Sequence, residues 1–98
     1  MKQMKIEITQ PAWDDLGNIL KYYREQGVPE KGRQFASEIL HKIERLSAFP
    51  DSGRVVPEFE MEFVREIIFP PFRIVYQRDL NKIWIVRIWR SERALNME

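Results

Sequence analysis

The chain has 98 residues, 44% of them hydrophobic and 12% aromatic, enough for one hydrophobic core and too few for two domains, so a single domain over residues 1–98 is expected. It contains no cysteine, which excludes thiol catalysis, disulfide staples and cysteine–zinc sites and favours a reducing, cytoplasmic setting. The formal net charge of +1 says nothing by itself about a nucleic-acid partner.

The N-terminal residues Met1-Lys2-Gln3-Met4-Lys5 lack the apolar region of a signal peptide. Met4-Lys5-Ile6-Glu7-Ile8 then alternates apolar and charged residues, the period of a half-buried strand. Thr9-Gln10-Pro11 changes the period and predicts a helix, with Asp14 and Asp15 in its first turn, where the dipole favours negative charge. Trp13, Leu16, Ile19, Leu20 and Tyr23 make one apolar stripe, and Gly17 reads as either a mild cost to the helix or a point of close packing. Gly27-Val28-Pro29 stops this helix and opens a second. In that second helix Phe35, Ala36, Ile39, Leu40, Ile43 and Leu46 share one face and charged residues take the other. Two amphipathic helices with a short break between them predict an antiparallel αα-hairpin.

Phe49-Pro50-Asp51-Ser52-Gly53 ends the second helix with turn chemistry. Val55-Val56-Pro57 reads as either a short strand or an extended loop. Strands are predicted over 63–69, 72–77 and 83–89, with Asp79-Leu80-Asn81 as a hairpin turn. The near-continuous apolar run of the last strand suits a central strand covered on both faces. The order β-α-α-β-β-β predicts an α+β domain, its helical hairpin packed on one face of a small antiparallel-rich sheet. No apolar run approaches the roughly 18 residues of a membrane span, so a soluble chain without a membrane partner is expected.

Charge is unevenly distributed. Residues 1–62 hold nine Lys and Arg against eleven Asp and Glu, whereas residues 63–98 hold seven against four, and six of those seven are arginine. Arginine suits bidentate contact with phosphate or carboxylate, so an anionic partner would dock at this end. A solvated sheet face describes the same asymmetry equally well.

Most catalytic chemistry finds no support. His41, the only histidine, lies within the second predicted helix, and no serine has the context of a nucleophile elbow. No second histidine or tight carboxylate cluster supports a metal site, and no glycine-rich phosphate cradle is present, so neither metal nor cofactor is expected. What remains is Arg65, Arg73, Arg87 and Arg90 on three consecutive strands, with Glu58, Glu60 and Glu62 just before them. Arginines on adjacent strands can converge on one anion if their faces agree, because antiparallel neighbours stand about 4.8 Å apart. A metal-free ribonuclease needs such cations, a base for the 2′-hydroxyl and a proton donor for the leaving oxygen.

Several phrases, in order, resemble the RelE/ParE toxins of type II toxin–antitoxin systems, often called plasmid stabilisation proteins. They are Ile6-Glu7-Ile8-Thr9-Gln10-Pro11-Ala12 with Asp14-Asp15-Leu16, and Ile43-Glu44-Arg45-Leu46 leading to Phe49-Pro50-Asp51-Ser52-Gly53-Arg54. Val56-Pro57-Glu58, Val64-Arg65-Glu66-Ile67, Phe72-Arg73-Ile74-Val75-Tyr76 and Ile85-Val86-Arg87-Ile88-Trp89-Arg90-Ser91 complete the set. The resemblance implies the RelE/ParE toxin fold, a growth-inhibiting activity, and neutralisation by a small cognate antitoxin. Exposed strand edges and the helical hairpin permit a dimer, or a heterotetramer with two antitoxins.

Two activities are implied. A RelE-like member would cleave ribosome-bound mRNA without metal, using Arg65, Arg73, Arg90 and Glu58. In that case Arg73→Ala is expected to remove a phosphate contact and leave the fold intact. A ParE-like member would poison DNA gyrase without being an enzyme, docking through Arg87, Trp89, Arg90 and Arg93. The nuclease pattern is incomplete: Ser91-Glu92-Arg93-Ala94-Leu95-Asn96 has no terminal aromatic, and Ile67 stands where a lysine is expected. These departures favour the ParE-like side.

Overall fold

The computed structural model describes residues 3–90. Its elements are β1 (Lys5–Ile8), α1 (Gln10–Glu25), α2 (Pro29–Arg45), β2 (Arg54–Val55), β3 (Val64–Phe69), β4 (Phe72–Arg78) and β5 (Lys82–Arg90). The five strands form one mixed sheet in the order β1-β5-β4-β3-β2, and the helical hairpin packs on one of its faces. The α+β order is therefore as expected, with the ambiguous segment after Gly53 supplying a two-residue edge strand at Arg54–Val55. Among the described residues, no helix is long and apolar enough to cross a membrane.

Helix α1 begins at Gln10, one residue earlier than Pro11, and no acidic residue falls in its first turn. Asp14 and Asp15 therefore do not answer the dipole there. Thr9 does not cap the helix with its side chain, because its hydroxyl donates to Ile85 O at 2.8 Å instead. Ala12, Leu16, Ile19 and Tyr23 form the buried stripe, whereas Trp13 is half exposed. Gly27, at φ +80°, reverses the chain into α2, which buries Gly32, Ala36, Ile39 and Ile43. The close helix–helix approach is at Gly32, where an added Cβ would lie 3.0 Å from Tyr23 Cβ; nothing lies within 4 Å of a Cβ at Gly17. Gly17 thus costs helix stability without serving packing.

The sheet contributes Phe72, Ile74, Tyr76, Ile83, Ile85 and Ile88 to the same core. Phe35 of α2 sits 5.1 Å from the Phe72 ring and 5.4 Å from that of Tyr23, joining both helices to β4. Strand β5 is central, between parallel β1 and antiparallel β4, but the helices cover only one of its faces. Its continuous apolar run has another cause. Val75 pairs with Arg87 and Tyr76 with Ile85, so Val86 is a bulge and both Ile85 and Ile88 turn to the core. Trp84 and Trp89 stay partly exposed on the opposite side.

Gly53 follows the loop from α2 and is pressed against the sheet. Its N–H donates to Tyr76 Oη at 3.0 Å, and the Tyr76 hydroxyl donates to Pro50 O at 2.8 Å. A Cβ at Gly53 would stand 2.7 Å from Glu66 O and 2.7 Å from Tyr76 Cε1. Gly53→Ala is expected to lower unfolding stability by about 1–3 kcal/mol through overpacking, whereas Gly17→Ala should raise it by about 0.5–1 kcal/mol. Urea denaturation of the two variants checks both signs, and an unchanged midpoint for Gly53→Ala would show that the loop yields.

Candidate functional site

The strand register decides which arginines can act together. Arg65 is paired with Tyr76 and Arg90 with Phe72, so both share the helix side of the sheet. Arg73 lies opposite Trp89 and Ile68, and Arg87 opposite Val75, on the other face. The four sequence candidates are divided two and two, and no face gathers all of them. Arg93 lies outside the described residues.

Each arginine is also engaged. Arg73 donates Nε–H to Glu66 Oε1 at 2.6 Å, and Arg54 Nε–H reaches Glu66 Oε2 at 2.6 Å. The Glu66 side chain has no exposed surface, and that of Arg73 is only 9% exposed. A buried carboxylate requires this double answer, since an uncompensated charge in the interior is costly. Glu58, largely exposed, approaches Arg73 Nη2 from outside at 3.4 Å. Burial, the largest influence on Arg73, pulls its pKa down, but the hydrogen bonds and charges of Glu66 and Glu58 outweigh it and raise it. The Glu58 carboxyl lies below its ordinary range, held there first by its own backbone N–H and then by Arg73.

Arg65 is spent on backbone carbonyls. It donates Nε–H to Glu62 O and Nη1–H to Gly53 O, both at 2.9 Å, which ties the loop before β3 to the turn before β2. Arg90 lies with its guanidinium carbon 5.3 Å from the Tyr22 ring centroid and 5.8 Å from that of Phe72, and donates to Tyr23 Oη at 3.2 Å. It is a packing residue at the junction of α1 with the sheet.

Arg87 is different. It forms a bidentate pair with Asp15, Nε–H to Oδ2 at 2.8 Å and Nη2–H to Oδ1 at 2.9 Å, with its guanidinium carbon 5.2 Å from the Trp89 ring centroid. Hydrogen bonding to Asp15 holds its pKa above the ordinary arginine value. Asp15 Oδ2 accepts the Ile88 N–H at 2.8 Å as well. An open groove of about 1020 Å³ runs past this pair, and Glu58, Arg73, Tyr22, Trp89 and Arg90 are among its lining residues, so three of the four candidate arginines and Glu58 border one groove.

His41 is exposed on α2, away from these residues. Among the described residues, no group of three or more histidines and carboxylates could hold a metal ion. The sequence reading missed Asp15 and Glu66 as participants. Glu66 gave one signal, a carboxylate in the middle of a β-rich strand, Val64–Phe69. Asp15 gave none, because its partner is 72 residues away.

The expectation that Arg73→Ala leaves the fold intact does not fit this geometry, since the substitution would leave the buried Glu66 carboxylate with Arg54 alone. Loss of about 3–5 kcal/mol is expected for Arg73→Ala, against less than about 0.5 kcal/mol for the exposed partner in Glu58→Ala. Chemical denaturation of both variants measures the contrast; equal losses would remove Glu66 from its central role.

A family model for the ParE toxin of type II toxin–antitoxin systems, parDE, matches residues 6–95. The chain is similar to a protein of the chromosomal ParDE toxin–antitoxin system from P. aeruginosa, with 27% identity, a TM-score of 0.75, and coverage of 90% of this chain and 96% of that one. It shares its fold with a chain of the RelBE2 toxin–antitoxin complex from Mycobacterium tuberculosis, at 16% identity, a TM-score of 0.64, and coverage of 90% and 98%. A search of curated proteins finds no match.

Proposed function

The chain belongs to the ParE toxin family of type II toxin–antitoxin systems, and from that premise we propose that it inhibits DNA gyrase by docking, without catalysing a reaction, and is neutralised by a small cognate antitoxin. The observation that carries this reading is the neutralisation of Arg73 by Glu66 and Glu58. A metal-independent nuclease must present unoccupied cations to the scissile phosphate and an available base to the 2′-hydroxyl. Here the arginine closest to Glu58 is already hydrogen-bonded to a buried carboxylate, and Glu58 itself is engaged by that arginine. Arg65, on the other face, is held by carbonyl oxygens.

What the helix-free face offers instead is a protein-docking surface. Trp89, Ile68 and Arg87 are partly or well exposed there, an aromatic and an aliphatic side chain beside a cation. Tryptophan and arginine are the residues that dominate binding energy at protein interfaces. The antitoxin partner is supported by the toxin–antitoxin complexes to which the chain is similar.

Purified protein is expected to inhibit gyrase supercoiling and to leave ribosome-bound mRNA uncut. A-site cleavage with supercoiling untouched would overturn the reading. Trp89→Ala is expected to weaken gyrase inhibition while leaving antitoxin binding in place, measured by supercoiling and co-purification.

A further inference from the structure

Arg87 is held in one orientation by three constraints that come from three different places. Asp15 on α1 takes the Nε and Nη2 edge of its guanidinium. The Ile88 N–H fixes Asp15 in turn, so the carboxylate is anchored to the backbone of the strand that carries Arg87. The Trp89 ring lies beside the guanidinium at stacking distance. The Asp15 side chain is only 11% exposed, while that of Arg87 is 43% exposed. The end-on Nη1–Nη2 edge makes no other hydrogen bond among the described residues, and its N–H donors are left for a ligand.

We propose that Asp15 is a positioning residue: it holds Arg87 beside Trp89 as a rigid platform for a protein surface that presents a backbone carbonyl or a planar side chain. The proposal rests on the docking reading above and adds the chemistry of the contact. Two features bear on that chemistry. Asp15 takes the Nε–Nη2 edge, and the end-on Nη1–Nη2 edge keeps its outward N–H donors. Asp15 also cancels the charge of Arg87 locally, so the pair offers little attraction to a nucleic-acid backbone. Outward N–H donors on a locally neutralised, flat cation beside an indole suit a carbonyl oxygen or a stacked amide or aromatic group.

Holding the guanidinium in place before binding removes the ordering cost of a long, rotamer-rich side chain. That cost corresponds to roughly two- to tenfold in affinity. Asp15→Asn is the informative variant, because an amide oxygen can still accept the Ile88 N–H while the bidentate ion pair is lost. Unfolding stability close to wild type and a two- to tenfold weaker affinity for gyrase are expected. Arg87→Ala should weaken binding further, and Asp15→Asn in the Arg87→Ala background should add nothing. In an ¹⁵N spectrum, the Arg87 Nε–H should exchange slowly with water in wild type and rapidly in Asp15→Asn.

Arg87→Lys covers the case in which Asp15→Asn does not fold. It leaves Asp15 on the Ile88 N–H and keeps the charge but cannot form the fork, so binding is expected to fall as in Arg87→Ala. Growth arrest on induced expression, measured for the same variants, assumes no particular target. If wild type neither binds nor inhibits gyrase, the earlier reading fails, and non-additive loss of growth arrest still upholds the positioning role. Wild-type affinity in Asp15→Asn or Arg87→Lys, or additive losses in the double variant, overturns it. A salt dependence of target binding that falls by about one ion in Arg87→Ala would indicate a phosphate contact and overturn the carbonyl assignment.

Discussion

The Glu66 carboxylate has no exposed surface, yet it sits within a strand of a small sheet. A charge so placed must be met by cations, and the fold meets it from two strands, with Arg73 of β4 and Arg54 of β2. Because both bonds cross between strands, they stitch β2, β3 and β4 together at the edge where β2 is only two residues long. A pair of backbone hydrogen-bonding residues could hardly fix such a short strand alone. The ion cluster therefore belongs to the architecture, and the chemistry available at the surface is what remains once that cluster has formed.

The bulge at Val86 makes the corresponding division in β5. Without it, strict alternation would turn Arg87 to the core side and Ile88 away from it. With it, Ile88 joins Ile83 and Ile85 in the core, and Arg87 and Trp89 share the opposite face. The register of β1 sets the second condition. Its pairing to β5 ends at Ile8 and Ile85, so the outer edge of β5 beyond that point is left to side chains. Thr9 and Asp15 fill this place, binding the Ile85 carbonyl and the Ile88 N–H. An edge strand with unanswered backbone groups invites foreign pairing, and a helix laid alongside with a carboxylate on it is one way of blocking that.

Much of the fold was legible in the sequence because periodicity reports burial directly. The stripe of Leu16, Ile19 and Tyr23 and that of Ala36, Ile39 and Ile43 lie where their spacing put them. The misreadings were of two kinds. Trp13 matched the helical period but lies at its margin, half exposed, and Gly17 was allowed a packing role that belongs to Gly32. Spacing tells which residues share a face and cannot tell where a neighbouring helix crosses it. The apolar run of β5 was taken for burial on two sides, when a single unpaired residue accounts for it. A bulge leaves no local signature in composition; it exists only relative to the partner strand.

The site was less legible for a related reason. Arginines counted along a sequence look like a reserve of positive charge, but a charge is available only if nothing in the fold has claimed it. Arg65 and Arg73 were the most prominent candidates for phosphate, and both are consumed by groups that sequence distance conceals. Arg87 also has a partner, yet that partner leaves it half exposed and oriented. The distinction lies in the depth of the carboxylate. Glu66 draws Arg73 inward to a position where it can contact little else, whereas Asp15, near the surface at the strand edge, steadies Arg87 where a partner can reach it. The same ion-pair chemistry thus makes one arginine a structural element and the other a recognition element, and burial decides which.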